Sequence, residues 1–221
     1  MRVLITAGPT REPIDDVRFI SNKSSGRMGA ALAGEALRLG HRVTLVLGPT
    51  DIRPPKVRTI RVETTAEMRD AVLRELAKTK HDVFVSAAAV ADYTVRKKAG
   101  KIKSGGGLAL KLAPTPKIVD NVKRKHPRLF VVGFKAEHGI GVKRLVESAK
   151  RRLNKAGLDL IVANDVSNGI FGSDENEVWI IDGGGLVEKT GRRSKRAIAK
   201  IVWRIISERV SSVCAPTRRR S

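Results

Sequence analysis

Arg2-Val-Leu-Ile-Thr-Ala7, a polar stretch from Gly8 to Ser25, the spaced apolar set Met28, Ala31, Leu32, Ala36 and Leu39, and then Arg42-Val-Thr-Leu-Val-Leu47 follow one another at the start of the chain. The two apolar runs are short and rich in aliphatic residues, so each reads as a buried strand. The segment between them opens near Gly26, closes at Gly40 and reads as a helix. Strand, helix, strand at this spacing is a βαβ unit of a nucleotide-binding sheet. In the ordinary dinucleotide version a short glycine loop makes the first turn and delivers the pyrophosphate to the helix N-terminus. Here the turn instead contains Gly8-Pro-Thr-Arg-Glu-Pro-Ile-Asp15 and Ile20-Ser-Asn-Lys-Ser-Ser-Gly26. A long loop at the carboxyl end of a sheet strand is usually where function lies.

The same alternation continues. Val57–Val62 reads as a strand, and Thr64-Thr-Ala-Glu67 has capping-box spacing ahead of a helix with Met68, Val72, Leu73 and Leu76 inward. His81–Ala87 is a further buried strand, running into Ala88-Ala-Val-Ala-Asp-Tyr93. Residues 94–107, with four lysines, one arginine and four glycines, cannot pack as core and read as a mobile flap, closed by a short strand over Leu108–Leu112. Thr115-Pro116 reads as an N-cap with proline at the first helical position. Leu129–Phe134 and Leu158–Ala163 are buried strands, separated by a helix from Val142 to about Ala156 that Gly157 ends. A hairpin through Asp182-Gly-Gly-Gly185 and a helix capped by Ser194 complete the chain. The fold class is therefore α/β: a Rossmann-like, doubly wound, mostly parallel sheet with a C-terminal β-hairpin extension. Residues 1–210 are expected to form one domain and 211–221, ending Arg218-Arg-Arg-Ser221, a basic disordered tail.

Composition narrows the function classes. At 221 residues the chain can bury one sizeable core. No apolar run is long enough to span a membrane, and the N-terminus lacks the shape of a signal peptide, so a cytoplasmic protein is expected. The single cysteine, Cys214, excludes a disulfide framework and a cysteine-built metal site. A formal charge of +22 invites a nucleic-acid reading, but the Arg and Lys residues recur on most of the predicted helices rather than on one. Aromatic residues are only 4 % and show no basic-aromatic stacking run, so nucleic acid is not the expected partner.

The unusual residues gather at the strand ends, where ligands bind in an open parallel sheet. Ser24-Ser25-Gly26 opens the first helix, whose N–H groups and dipole favour an anion. Arg11, Arg18 and Asn22 offer guanidinium and amide groups with few carboxylates to match them. Asp92 can accept ribose hydroxyls, hold Mg²⁺ through an oxygen or simply form a turn. Lys101 and Lys103, on the glycine-flanked flap, can reach a polyphosphate once it closes. Gly26-Arg-Met-Gly29 is only part of a dinucleotide fingerprint, and the second strand ends in Gly48-Pro49 rather than an acid. From the residues alone, this is a nucleotide- and anion-binding enzyme with a lysine flap. A short-chain NAD(P)-dependent oxidoreductase and an RNA-associated Rossmann-like binding protein are the weaker alternatives.

Six stretches in order resemble the phosphopantothenate–cysteine ligase family, the synthetase half of the bifunctional coenzyme A biosynthesis protein. They are Ile5–Asp15, Arg18–Gly29, Ala87–Tyr93, Lys101-Ile-Lys103, Val132-Gly-Phe-Lys-Ala-Glu137 and Leu158–Asp165. The resemblance implies that the carboxylate of 4′-phosphopantothenate attacks the α-phosphorus of a nucleoside triphosphate, CTP rather than ATP, giving an acyl-nucleotide and pyrophosphate. The amine of L-cysteine then displaces the nucleoside monophosphate. It also implies Mg²⁺ and a homodimer. Carried over by position, Asn22 holds the intermediate and the pantothenate carbonyl, and Lys101 serves the activation step. Ser86, Ala87, Ala88, Asp92, Lys101, Pro116, Lys117, Ile118, Val119, Phe134, Arg152 and Lys155 face the nucleotide. Arg18, Asn22, Ser24, Ser25, Gly26, Ala89 and Lys103 face the acid substrate, and Asp92 is the candidate metal ligand. The chain departs from the family at Arg152 and Ala156, where two lysines are usual, and at Lys135, where many members have alanine. It also lacks the phosphopantothenoylcysteine decarboxylase that often precedes this domain. A stand-alone ligase working with a separate decarboxylase and an excised portion of a bifunctional protein are both open.

Overall fold

The computed structural model describes residues 1–167 and 173–214, the last three as backbone only. In chain order its elements begin with β1 (Arg2–Ala7), the ribbon strands β2 (Arg11–Pro13) and β3 (Phe19–Ser21), α1 (Arg27–Arg38), β4 (Arg42–Leu47) and β5 (Arg58–Arg61). There follow α2 (Thr65–Lys78), β6 (Val83–Ser86), a second ribbon of β7 (Tyr93–Val95) and β8 (Leu112–Pro114), α3 (Ile118–Lys125), β9 (Phe130–Glu137), α4 (Val142–Ala156) and β10 (Leu160–Asp165). The last part holds β11 (Glu175–Asn176), β12 (Trp179–Asp182), β13 (Gly185–Lys189), β14 (Arg193–Ser194) and α5 (Lys195–Cys214).

The central sheet has eight strands in the order β13-β12-β10-β9-β6-β1-β4-β5. Six of them, β5 through β10 in that order, are parallel, and β12 and β13 add an antiparallel hairpin at one edge. The winding reverses between β1 and β6, the switch point where doubly wound sheets open a ligand crevice. Alternation along β1 assigns the two faces. Val3, Ile5 and Ala7 join the core beneath α1 and α5, whereas Leu4 joins the core beneath α2, α3 and α4. α1 and α5 are also tied by a hydrogen bond from the Trp203 indole Nε1 to the Leu32 carbonyl, 2.8 Å long. No helix among the described residues is long and apolar enough to cross a membrane.

Local chemistry explains most of the boundaries. The Thr64 capping box forms, Ser194 Oγ accepts from the Ala197 N–H at the start of α5, and Gly157 ends α4 in the left-handed conformation. α1 opens at Gly26 as expected, with φ 74° at this N-cap and Ser24 Oγ accepting from the Gly26 N–H. Two other expectations differ. The helix expected from Thr115-Pro116 starts at Ile118, because the buried Thr115 donates its hydroxyl to the Ala91 carbonyl and its N–H to the Asp92 carbonyl. The flap-closing strand is Leu112–Pro114, paired with Tyr93–Val95, and residues 108–111 stay outside it. α5 runs to Cys214, and residues 215–221, the greater part of the tail expected from the sequence, lie outside the described residues.

Candidate active site

A cleft of about 880 Å³ opens at the carboxyl ends of β1, β6, β9 and β10. Two loops meet at the switch point to form its floor. The Ala89 N–H donates to the Gly8 carbonyl (3.0 Å), and the Thr10 N–H returns to Ala89 (3.4 Å). Thr6 Oγ1 and Thr10 Oγ1 accept from the Ala88 and Ala91 N–H groups. The run of alanines after β6 is thus fixed through its backbone, which leaves a smooth wall beside the crevice.

Asn22 comes off the approach loop onto this wall. Its Nδ2 donates to the carbonyls of Ala89 (3.1 Å) and Val90 (3.0 Å). Both amide hydrogens are thereby committed, so the group Asn22 has left to offer is Oδ1, an acceptor. A substrate carbonyl needs a donor; in this arrangement Asn22 instead suits a substrate N–H or hydroxyl. Ser24, Ser25 and Gly26 line the cleft beside it, at the N-terminus of α1. Ser86, Ala87, Ala88, Ala89 and Asp92 line the β6 side, and Lys117, Ile118, Val119 and Phe134 the side toward α3 and β9. From α4, Arg152 and Lys155 both reach the same space, whereas Ala156 is buried.

Four expected residues do not line the cleft: Arg18, Lys101, Lys103 and Pro116. The spare cations expected on the approach loop are engaged. Arg18 makes a two-nitrogen contact with Asp15 at 3.0 and 2.6 Å and donates to the Ile102 carbonyl at 2.7 Å. The Arg11 guanidinium lies over the Phe19 ring, 4.5 Å from its centre.

The charge of the lining is lopsided. Lys23, Arg27, Lys117, Lys135, Arg152, Lys155 and Lys195 contribute seven cations, and Asp92 is the one acidic residue among the described lining residues. Some of this charge is answered from outside the lining: Arg152 pairs with Asp120 (2.7 Å), Lys135 with Glu137 (2.9 Å) and Arg27 with Asp174 (2.6 Å). The Lys135 ammonium holds the Glu137 carboxyl below its ordinary range, with Ser148 Oγ assisting. Lys23 and Lys155 have no carboxylate within ion-pair distance among the described residues. Sequence reasoning missed Lys195, from the start of α5. It is nearly buried, its ammonium bonds the Ser173 carbonyl, and burial followed by repulsion from Arg27 lowers its pKa. Asn164 and Asn176 were missed too; Asn164 stands at the carboxyl end of β10, where the strand-end rule could have found it, whereas nothing local marks Asn176 in the short strand β11.

Asp92 is exposed and forms an ion pair with Lys117. Among the described residues, no three of His, Cys, Asp and Glu come together as a metal cage. The donor set therefore does not fit a resident metal ion. It fits Mg²⁺ only as an ion arriving on the phosphates of a nucleotide, with at most one protein carboxylate, the usual way this cation is held.

Comparison with known proteins places nearly the whole chain. The family model for the DNA/pantothenate metabolism flavoprotein C-terminal domain matches residues 1–210. The chain belongs to this family. It is 47 % identical over 203 residues to the coenzyme A biosynthesis bifunctional protein CoaBC of Thermococcus kodakarensis, covering 91 % of this chain and 50 % of that protein. The chain therefore spans about half the length of the curated relatives it matches. The crystal structure of the C-terminal domain of a CoaBC superposes with a TM-score of 0.79 at 33 % identity, covering 96 % of each chain. A structure of a Cab2 mutant, H337A, in complex with phosphopantothenate-cysteine shares the fold at 21 % identity, with a TM-score of 0.76, covering 97 % of this chain and 89 % of that one. The α/β Rossmann-like class read from the sequence is the observed one.

Proposed function

We propose that this chain is a phosphopantothenate–cysteine ligase that works through an acyl-nucleotide, with CTP as the activating nucleotide and Mg²⁺ arriving on its phosphates. The observation that carries the reading is the seven-to-one excess of cations over carboxylates in a cleft at the switch point of a family sheet. The excess suits a reaction in which two polyanions must share one space, and fixed cations offset their repulsion. The T. kodakarensis protein is named for coenzyme A biosynthesis, and the Cab2 complex holds phosphopantothenate-cysteine; both support the substrate assignment.

The steps assign work to this chain's own groups. A carboxylate oxygen of the acid attacks the α-phosphorus, and the bond to pyrophosphate breaks. The cysteine amine then attacks the acyl carbon, loses a proton and expels the nucleoside monophosphate. Asn22 Oδ1 orients the acid through an N–H or hydroxyl. Lys155 and Arg152 meet the triphosphate, Phe134 packs near the base, and Lys101 and Lys103 supply positive charge from the flap. Bound Mg²⁺ would neutralise phosphate charge, with Asp92 as its protein contact after release from Lys117.

The chain is proposed to act as a homodimer. Among the described residues, six of the ten exposed large apolar side chains, Val17, Phe19, Tyr93, Leu108, Leu110 and Leu112, lie on or beside the two small ribbons. An apolar patch of this kind suits an interface between copies.

The test is pyrophosphate release from CTP and from ATP on addition of 4′-phosphopantothenate, followed by CMP or AMP release on addition of L-cysteine. CTP should be strongly preferred. No pyrophosphate from either nucleotide would end the ligase reading, and equal rates would end the CTP preference.

A further inference from the structure

We propose that Asp15 is the positioning residue of the lysine flap: with Arg18, its buried carboxylate grips residue 102 by both backbone groups and so fixes where Lys101 and Lys103 stand. The proposal rests on the ligase reading, which gives those lysines their task.

The Asp15 side chain is wholly buried, yet it lies outside the cleft and has no substrate to meet. Its Oδ1 accepts from the N–H groups of Val17 (2.8 Å) and Arg18 (2.7 Å), which closes the turn of the approach loop. Its Oδ2 accepts from the Arg18 guanidinium and, across the molecule, from the Ile102 N–H at 3.1 Å. The same guanidinium donates to the Ile102 carbonyl at 2.7 Å. Ile102 is thus held at donor and acceptor by one charged pair, and it is the residue between the two flap lysines. Charge-assisted bonds of this kind are the strong ones.

A second carboxylate continues the seam. Asp16 Oδ2 accepts from the Gly100 N–H (2.7 Å), its Oδ1 pairs with Lys97 (2.6 Å), and the Asp16 N–H donates to the Gly100 carbonyl (3.3 Å). The Lys98 N–H adds a bond to the Ile14 carbonyl at 2.9 Å. The stretch 97–102 is therefore stitched to residues 14–18, and the open-spaced glycines 105–107 come only after it. This divides the segment that composition marks as one mobile flap: a tethered base carrying Lys101, and a free portion beyond Lys103. The tether also joins the flap to the loop that carries Asn22. Lys101 stands outside the cleft here, so the shared support sets the base from which it reaches toward an acid oriented by Asn22.

The experiment uses Asp15→Asn, which keeps the size and removes the charge, and the exposed Asp16→Asn, which spares the fold. Both are run alone and in a Lys101→Gln background. Tethering is read by tryptic cleavage at residues 97–103, and chemistry by pyrophosphate release with separate kcat and KM. Asp15→Asn should speed cleavage roughly tenfold and lower kcat roughly tenfold, the loss expected for bonds to a charged group. Asp16→Asn should do the same to a smaller degree. In the Lys101→Gln background, Asp15→Asn should lower kcat no further. Wild-type cleavage and wild-type turnover in Asp15→Asn, with Lys101→Gln measurably slowed, would overturn the positioning role and leave the ligase reading intact. Multiplying losses in the double variant would overturn it as well, because a merely structural defect multiplies. Full pyrophosphate release in Lys101→Gln would remove the lysine's task, and the cleavage data would show that the failure lay in that reading and not in the tether.

Discussion

Gly29→Ala tests whether the close approach of α1 to β1 sets the position of the site. Gly29 lies in the first turn of α1 over the end of β1, and a Cβ built there falls 2.4 Å from the Ala7 Cβ, 3.0 Å from its Cα and 3.2 Å from the Thr6 carbonyl oxygen. Ordinary contact begins near 3.4 Å, so helix and strand must part by about 1 Å. Ala7 and the β1 core are fully buried. Overpacking a filled core costs about 1–3 kcal/mol. Against it stands the gain of alanine over glycine within a helix, about 1 kcal/mol. With an approach this close the steric cost lies near the top of its range, and a net loss of about 1–2 kcal/mol is expected. Urea unfolding should show the midpoint falling with an unchanged slope. Gly34→Ala in the same helix is the internal control: nothing lies within 4 Å of its Cβ, so it should gain about 0.5–1 kcal/mol. The functional consequence follows from place. The first turn of α1 presents Ser24, Ser25 and Gly26 to the cleft, and a misplacement of about 1 Å can cost roughly a hundredfold in rate. Gly29→Ala should therefore lose turnover while Gly34→Ala keeps it. If Gly29→Ala were stabilised as Gly34→Ala is, the close-packing argument would be refuted.

The remaining predictions concern other parts of the molecule. Half-buried His41 has an Nε2 with no hydrogen-bond partner among the described residues and sits edge-on to Trp203 at 5.3 Å; burial, then the N-terminal charge, lowers its pKa below 6.5. Its neutral form is the folded one, so its contribution to stability is present above the unfolded value and is lost as pH falls from there through the lowered folded value. His41→Phe should flatten the urea midpoint across that window, and parallel curves for the two proteins would count against the assignment. Lys155→Ala should raise KM for the nucleotide roughly tenfold while Lys155→Arg restores most of it; an unchanged KM would remove this lysine from the triphosphate. Trp203→Phe deletes the bond to Leu32 that ties α5 to α1 and should cost about 1–3 kcal/mol by chemical unfolding, so a variant as stable as the parent would show that packing alone holds the helices together.

What the sequence revealed, and what it hid, follows the range of the physics involved. The strands of the parallel sheet are legible because each is a short apolar run between polar turns, and α2 and α5 because Thr64 and Ser194 cap them through bonds only three residues long. Thr115 misleads for the same reason. Its position before a proline is an N-cap signal, but the hydroxyl serves Ala91, across the β7–β8 ribbon, and no local pattern encodes that. Lys195 is the sharper case: beside a cap at the start of an amphipathic helix it reads as solvated, and only the docking of α5 beside α1 brings it to the cleft. The flap carries the argument furthest. Its lysines and glycines correctly mark a segment without a core of its own, and from that a free lid follows naturally. What ties it down is a pair of consecutive carboxylates more than eighty residues upstream, Asp15 and Asp16, each bonded to backbone N–H groups. Backbone groups carry no sequence signature, so a tether made from them is invisible until the chain is folded. Acidic residues amid so basic a chain are where such tethers should be sought: when cations outnumber carboxylates two to one, each buried carboxylate has many partners available, and the one it holds is set by the fold.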